Sequence, residues 1–412
     1  MWLARARTDF FTLGDFRAFY CSARVALAGD DPYRAEPLGA CERATAGTSD
    51  SNVTLPAPIP AHAMALFVPL EPLSFGMAAA MWCALLTAVF FFSSIALARL
   101  SGLPYGWVLA ALFPLGLVVP IEEGQLVPLS VALLAGATLA LRARRDGLGA
   151  VLAAAATIEP HIGLPACVAI SIARPRARVV MCATTLVLFA LGERVVGLPA
   201  MLEYVQHVLP EHIAAEARFD DQYSLTYLLS WLRVPLAAAI ALGMASYWLA
   251  MLLGIGAGVL LSRRYHDVRW LVFVPAALSV CGGPFLHEEH LLAAVPLALL
   301  LAASASHSAR ISSIVAAALV AWPAKFAAIY FNAPGGPIHV DVTTVLWAGP
   351  PLALADVAWG ARIAADSGHL PFLLVKFTSW IGLSMLVFDV LCRLKRRGGT
   401  RDPGDGSPPE DR

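Results

Sequence analysis

A short polar segment near the start of the chain holds the residue best suited to acid–base chemistry. Residues 13–33 read LGDFRAFYCSARVALAGDDPY, with apolar side chains at helical spacing after Asp15. The spacing predicts a short amphipathic helix at a membrane surface, with Asp15 at its N-cap and Gly29 near its C-terminus. A carboxylate there can take a proton from a hydroxyl group, or it can simply cap the helix. Tyr20 and Tyr33 would offer surfaces for stacking on a sugar.

Two further polar groups interrupt apolar stretches. Gln125 follows the turn Ile121-Glu122-Glu123-Gly124 and opens an apolar run. Polar groups at membrane depth are usually paired or functional, although this turn can also be read as merely solvated. Glu159-Pro160-His161 divides the apolar stretch 148–173. It indicates either a proline kink with a Glu–His pair or a ligand site where two half-helices meet.

Two polar segments lie further along the chain. Asp220-Asp221-Gln222-Tyr223-Ser224-Leu225 precedes an apolar run and can act as a helix cap. His287-Glu288-Glu289-His290 lies between two apolar runs. Its H-x-x-H spacing differs from the i, i+4 histidines of H-E-x-x-H, so the sequence predicts no metal site there. A polar turn, or histidines that donate to a phosphate, is the expectation.

The elements that must position these residues are membrane helices. The chain has 412 residues, of which 58% are hydrophobic and 14% charged, against about a quarter charged in soluble proteins. Apolar runs recur at about the 20 residues that a helix needs to cross a bilayer. The sequence therefore predicts an all-α, polytopic transmembrane helical bundle. The predicted spans are 76–98, 104–120, 125–141, two half-helices within 148–173, 179–197, 235–261, 270–285, 290–305, 311–331 and 370–391.

The distribution of charge predicts the orientation of the bundle. About half of the 29 Lys and Arg residues lie in short connections near Arg99, 142–145, 174–178, 263–269 and Arg310 and at the end of the last span, 393–397. The opposite loops hold most of the carboxylates. By the positive-inside rule the basic connections and the C-terminus are cytoplasmic, and residues 1–60 face outward from the cytoplasmic membrane.

Three regions follow from this map. They are an outer loop over residues 1–60, a transmembrane domain over 61–395, and a disordered cytoplasmic tail over 396–412 that is rich in Gly, Pro, Asp and Arg. Nothing in the first residues would carry the outer loop across a membrane, so we expect a preceding apolar helix. Cys21 and Cys41 share the outer loop and could pair.

The order of these motifs resembles a known family of membrane enzymes. The chain reads G-D-F-x-x-F-Y and A-L-A-G-D-D-P-Y in the first loop, then G-Q, R-A-R-R-D-G, R-P-R-A-R, D-Q-Y-S-L and P-F-L-H-E-E-H. This series, over residues 13–305, resembles the polyprenol-phosphate-sugar-dependent glycosyltransferases of family 87 in the GT-C superfamily. The resemblance implies a GT-C-like fold. The outer loops would bind a lipid-phosphate sugar, usually mannose or arabinofuranose, and transfer it to a glycan or lipid acceptor.

The resemblance also implies roles for individual residues. Asp15 would be the catalytic base, Gln125 and the segment Gln222–Ser224 would line the site, and His290 matches a family histidine. The family commonly has Lys where this chain has Glu159. His161 is then the candidate cation for the donor phosphate.

The chemistry that the resemblance implies needs few protein groups. Asp15 would deprotonate the acceptor as the bond from C1 to the phosphate breaks, giving inversion. Charge developing on the phosphate needs stabilisation, which Arg17, Arg24 and His290 could supply, with Arg194 a weaker candidate. We expect the lipid bilayer as a partner, no cofactor besides the lipid-linked donor, and no nucleic acid. The alternatives are a transporter or lipid-carrier flippase, and a non-catalytic scaffold of the same fold.

Overall fold

The computed structural model describes residues 13–46, 54–55, 57–217, 222–304, 307–331, 340–342, 361–363 and 369–395. The described chain is a bundle of α-helices, which confirms the predicted all-α polytopic fold. Two three-residue strands, β1 (Val340–Val342) and β2 (Ala361–Ile363), form one antiparallel pair. The start of the chain, Asp220 and Asp221, most of 332–368 and the tail from 396 lie outside the described residues.

Short helices form the first loop. They are α1 (Gly14–Leu27), α2 (Ala35–Ala46) and α3 (Ala61–Met64), followed by a 3-10 turn at Val68–Leu70. A disulfide between Cys21 and Cys41 joins α1 to α2. Pro60, Pro69 and Pro72 break the apolar segment of this region into short pieces.

The remaining helices of the described chain follow. Where a span was predicted, their bounds agree with it to within a few residues at most ends, whereas the helices at 198–216 and Leu225–Trp231 lie where no span was predicted. The remaining helices are α4 (Phe75–Ser101), α5 (Tyr105–Glu123), α6 (Val127–Arg142), α7 (Asp146–Ile158), α8 (Pro160–Ala173), α9 (Pro175–Val196), α10 (198–216), α11 (Leu225–Trp231), α12 (Leu236–Tyr265), α13 (Val268–Ser279), α14 (Val295–Ser304), α15 (His307–Phe331) and α16 (His369–Lys395). Five of the described segments are long and apolar enough to cross a membrane: α4, α5, α9, α12 and the part of α16 from Lys376. The chain is therefore a multi-pass membrane protein.

Helices α7 and α8 form the predicted pair of half-helices. Helix α7 leaves the basic connection at Arg145, and α8 returns to Arg174, with Glu159 at the break between them. Thirteen residues of helix span about 20 Å, less than the roughly 30 Å hydrocarbon core. Gly163 permits the close approach at the tip, because a Cβ there would lie 2.4 Å from the carbonyl oxygen of Ala156. The pair is thus a re-entrant hairpin with both ends at the basic side.

The basic connections gather at one end of the bundle. Arg264 donates to the carbonyl oxygens of Arg393 and Leu394 at 3.1 and 2.9 Å. Arg269 donates to the carbonyl oxygen of Leu100. The end of α12, the start of α13 and the ends of α4 and α16 therefore share one side, as the charge pattern predicts.

The structure corrects the predicted start of α1. The N-cap is Leu13, in the left-handed region at φ 59°, and Asp15 lies within the first turn. The interpretation that Asp15 only caps the helix is therefore wrong. Most of α1 is also more deeply buried than an amphipathic pattern indicates, because its aromatic face packs on Phe67, Phe75 and Trp82 while its opposite face meets other loop segments. The side chain of Asp15 therefore does not act as the N-cap of α1.

Candidate active site

The first loop contacts the turn between α5 and α6 at Asp15. The amide Nε2 of Gln125 donates to a carboxylate oxygen of Asp15 across 110 residues of sequence. The backbone N–H of Leu13 also donates to the carbonyl oxygen of Glu122 at 2.6 Å. These bonds fix the start of α1 against the turn between α5 and α6. The positive end of the α1 dipole favours the ionised form of a carboxylate in the first turn.

Gly124 allows this contact. Its φ of 87° lies in the left-handed region, where it ends α5 and turns the chain into α6. A Cβ at this position would lie 2.3 Å from the Cβ of Phe16 and 2.9 Å from its backbone nitrogen. The carbonyl oxygen of Gly124 accepts a bond from Trp82 Nε1 at 2.9 Å. Only a glycine lets Gln125 approach Asp15 this closely.

A buried acid and a buried base lie behind Asp15. The carboxylate of Glu42 is 2% exposed and accepts a bond from the backbone N–H of Leu55 at 2.8 Å. Burial raises the pKa of Glu42 to about 8, and the charge of Asp15 adds to this, while Arg17 acts in the opposite direction. Burial lowers the pKa of Arg17, whose guanidinium lies 5.6 Å from the ring centre of Phe75. Arg17 therefore partly offsets the effect of burial on Glu42 within the first loop.

We expect Glu42→Gln to flatten the pH dependence of stability. Folded Glu42 keeps its proton to about pH 8, whereas its ordinary pKa is 4.5, so the stability that it contributes is present at low pH. That contribution is lost as the pH rises from 4.5 through about 8. Glutamine keeps an acceptor for Leu55 and has no charge to lose. The melting temperature of purified protein, measured between pH 5 and pH 9, should fall less in the variant.

Glu36→Gln is the matched control for Glu42→Gln. Glu36 lies on the same helix, its side chain is 84% exposed, and it pairs with Arg43 at 3.2 Å. In this variant the melting temperature should fall with pH as steeply as in the wild type. If it fell equally steeply in Glu42→Gln and the wild type, that would contradict the raised pKa of Glu42.

A second cluster of polar side chains lies at the tip of the re-entrant hairpin. The Nδ1 atom of His161 lies 3.7 Å from Oε2 of Glu159, and Nε2 of His290 lies 4.0 Å from the same oxygen. The two imidazole rings are 4.4 Å apart at their centres. Ser130 of α6 donates to the carbonyl oxygen of Ala156 in the hairpin at 2.8 Å, so the tip lies against the helix that begins beside Gln125. His161 and His290, two of the predicted binding residues, are thus adjacent.

Aromatic and polar contacts hold the hairpin tip against the first loop. His62 Nε2 lies 3.1 Å from the carbonyl oxygen of Thr157. Tyr204, in a π-helical turn of α10, donates to the carbonyl oxygen of Pro58 at 2.8 Å and stacks on Tyr33 at 5.2 Å. Its phenol also lies near the charge of Glu159. The site is therefore enclosed on this side by α3 and α10.

A hydrogen-bonded network supports the loop that contains His290. Gln222 accepts from the backbone N–H of Leu286 at 2.8 Å and donates to Glu216 at 3.2 Å. His287 Nε2 lies 3.0 Å from the Gln222 amide nitrogen and 3.5 Å from Glu216. The backbone N–H of His287 donates to Nδ1 of His290 at 3.0 Å. Gln222 therefore lies one layer behind His290.

Other predicted binding residues have their polar atoms bonded within the protein. Tyr20 donates to the carbonyl oxygen of Leu73 at 2.8 Å, and Tyr33 donates to that of Ile59 at 3.1 Å. Both rings are almost completely buried. The hydroxyl of Ser224 caps α11 by accepting from Tyr227 at 3.2 Å. The polar atoms of these three residues therefore stabilise the surrounding protein structure.

The structure thus brings together Asp15, Gln125, His161 and His290, and leaves two predicted cations apart. Arg24 pairs with Glu71 at 3.5 Å near the surface, and Arg194 is exposed on α9. Sequence reasoning missed Glu42, His62, Tyr204 and Glu216. An acid in an otherwise apolar helix face was the available signal for Glu42, whereas nothing in the sequence pattern distinguishes His62 or Tyr204.

A bundle of apolar helices, with a buried polar site at the end away from its basic connections, defines a multi-pass membrane protein with a candidate active site. The family model described as "Glycosyltransferase family 87" matches residues 60–282, more than half of the chain. The chain therefore belongs to glycosyltransferase family 87, and the resemblance predicted from its motifs is confirmed. No curated protein and no solved structure matches the chain. The match includes Gln125 but begins after Asp15, so the case for Asp15 as a site residue depends on its hydrogen bond with Gln125.

Proposed function

We propose that the protein transfers a sugar from a polyprenyl-phosphate donor to an acceptor hydroxyl outside the cytoplasmic membrane. The observation that carries the proposal is the hydrogen bond from Gln125 to Asp15. This bond joins the first-turn carboxylate of α1 to the start of α6, at the end of the bundle opposite the basic connections, and so supports Asp15 as the base. Family membership supplies the reaction class.

The chemistry requires few steps. Asp15 removes the proton of the acceptor hydroxyl, and the acceptor oxygen forms a bond to C1 of the sugar. The bond from C1 to the phosphate oxygen breaks, and its electron pair leaves with the polyprenyl phosphate. The attack and the departure take place on opposite faces of C1, so the configuration inverts. Gln125 holds Asp15 in position for proton transfer.

Stabilising the leaving phosphate is the second requirement. His161 and His290 lie together at the hairpin tip and are the groups that we assign to it. Arg17 contributes positive charge from within the first loop, where it lies near Glu42. We assign Tyr20, Tyr33, Gln222 and Ser224 to positioning, because their polar atoms bond to the protein.

An apolar groove supports a lipid-linked donor. It has a volume of about 300 Å³ and runs between α4, α6 and α7, lined by residues such as Phe92, Leu133 and Leu152. It begins about one turn along α6 from Gln125, at Leu129. A prenyl chain in the bilayer could enter this groove from the side while its phosphate reaches the site. The glycan or lipid acceptor would then approach from the aqueous side.

The transporter alternative shares one feature with this proposal. Re-entrant half-helices also form the ligand sites of transporters. Here the tip of the hairpin contacts the first loop through His62 and Thr157, and its acid lies near Asp15. A site at one end of the bundle fits transfer at a surface better than passage across the bilayer. A non-catalytic scaffold would have the same contacts and no transfer activity, so an assay of transfer by the wild-type protein distinguishes the two.

The orientation follows from the charge pattern and the disulfide. Structural disulfides persist in oxidising compartments outside the cytoplasm, and Cys21–Cys41 lies in the first loop. We propose that this loop faces outward from the inner membrane and that the C-terminus is cytoplasmic.

Labelling of intact cells tests the orientation. In a background with the free cysteines replaced, cysteine at Glu36 should react with a membrane-impermeant maleimide from outside. Cysteine at Ala143, in the exposed basic connection after α6, should react only after lysis. The reverse pattern would invert the proposed topology.

A further inference from the structure

Three side chains from two elements converge at the hairpin tip. Glu159 and His161 flank Pro160, and His290 lies in the 3-10 helix Glu288–Ala294. One ligand atom from each of the three lies within 4.8 Å of the others. We propose that Glu159, His161 and His290 bind a divalent transition-metal ion.

The contacts at the site match a metal-binding arrangement. Nδ1 of His161 and Nε2 of His290 face the same oxygen of Glu159, at 3.7 and 4.0 Å. Donor atoms about 2.0–2.2 Å from a tetrahedral ion lie roughly 3.4 Å apart, so both imidazoles must move inward from separations of 3.7 to 4.8 Å, through small side-chain rotations, to close the site. Glu159 and His290 are buried, at 8% and 5% exposure, which keeps competing water away. The donor atoms are already gathered before an ion arrives.

The donor set selects the kind of ion. Two imidazoles and one carboxylate suit Zn²⁺, Mn²⁺ or Fe²⁺, whereas Mg²⁺ and Ca²⁺ prefer oxygen ligands only. Three protein ligands leave coordination positions open, as in sites where a metal contacts substrate. Zn²⁺ is the probe of choice because it binds imidazole tightly and has no redox chemistry.

Groups around His290 can orient it for this role. Metal-bound histidines usually donate their second N–H to a carboxylate or a carbonyl group. Oε1 of Glu289 lies 3.6 Å from Nδ1 of His290 and can accept that proton. Without metal, the backbone N–H of His287 donates to Nδ1, so the proton lies on Nε2. Metal binding at Nε2 therefore requires the ring proton to move from Nε2 to Nδ1, where a bond to Glu289 replaces the bond from the N–H of His287.

The position of the ion indicates its use. The hairpin bonds to α6 through Ser130 and Ala156, and Gln125 at the start of α6 bonds to Asp15, so an ion at the tip would lie on the same side of the bundle as this pair. Positive charge there would stabilise a phosphate leaving group. This use rests on the proposed function, whereas binding of the ion does not.

Metal binding can be measured without any substrate. The full-length protein, purified in detergent with a tag that has no histidines, is treated with a chelator, desalted and titrated with Zn²⁺ by calorimetry. Bound metal is counted by elemental analysis, and the absorption of bound Co²⁺ reports the geometry. We expect one tight Zn²⁺ per chain. Glu159→Gln and His290→Gln should each weaken it by at least about 10-fold, the lower limit for loss of even an outer-shell partner.

Two further variants complete the test. His161→Gln alters a residue that is only partly buried, so it serves if a substitution at Glu159 or His290 prevents folding. His207→Gln removes an exposed histidine of α10 and should bind Zn²⁺ like the wild type. No tight site in the folded wild type, or an unchanged site in Glu159→Gln and His161→Gln, would overturn the inference. If Zn²⁺ binds but no lipid-linked donor supports transfer, the metal site stands and the proposed function fails.

Discussion

Asp15→Asn is expected to reduce the rate of sugar transfer by about 10²- to 10⁴-fold, the contribution of a positioned general base. Asparagine has the same shape and can still accept the bond from Gln125, so α1 should keep its position. Because Asp15 lies inside the first turn and is not the N-cap, the substitution removes no helix cap. The measurement is the initial rate of transfer from a polyprenyl-phosphate sugar by purified protein.

Asp30→Asn is the matched control for this prediction. Asp30 lies in the exposed turn after α1, and the same change of side chain there should leave the rate within about twofold of the wild type, as expected for a group that takes no part in proton transfer. Melting temperatures of both variants should equal that of the wild type to within a few degrees. A folded Asp15→Asn protein that keeps more than about a tenth of the rate would remove Asp15 as the base.

Gly124→Ala is expected to lower both stability and the rate of transfer, because it separates Asp15 on α1 from Gln125. A Cβ at Gly124 would overlap Phe16, and alanine is strained at a φ of 87°. The strain and the overpacking together are expected to cost about 2–4 kcal/mol. Relief of the overlap would move α1 away from Gln125 by about 1 Å, a displacement that can reduce the rate about 10²-fold. The melting temperature and the rate of transfer should both fall.

Gly256→Ala provides the comparison for Gly124→Ala. A Cβ at Gly256 in α12 meets nothing within 4 Å, and the backbone there is helical. Alanine should therefore leave stability unchanged or raise it slightly, since it has a higher helix propensity than glycine. Similar behaviour of the two variants would contradict the close packing of α1 on the turn at Gly124.

The sequence predicted the architecture well because its signal is strong. Runs of about 20 apolar residues have few structural solutions in a membrane, and the basic connections marked one side. The break at Glu159-Pro160-His161 revealed the re-entrant hairpin, because each half of 148–173 is too short to span a bilayer. The first-loop helix was predicted from its apolar spacing, and its N-cap was misassigned because Asp15 has a strong capping preference.

The site was less predictable because its contacts join distant parts of the chain. Glu159 and His161 meet His290 across about 130 residues, so no local spacing marks the three as metal ligands, and the sequence predicted no metal site. Tyr20, Tyr33, Gln222 and Ser224 lie in motifs that indicated substrate contact. Their bonds to neighbouring backbone and side-chain groups appear only after folding. Burial of Glu42 beneath Arg17 and Asp15 also depends on tertiary packing.

The most direct test of the central claim is a donor comparison with the purified wild-type protein. Equal amounts of protein are incubated with an acceptor mixture and either a panel of polyprenyl-phosphate sugars, mannose and arabinofuranose included, or the matching nucleotide sugars. We expect transfer from at least one lipid-linked donor, with inverted configuration at C1 in the product by NMR, and none from nucleotide sugars. Transfer from a nucleotide sugar, or a folded protein that uses no lipid-linked donor in the panel, would contradict it.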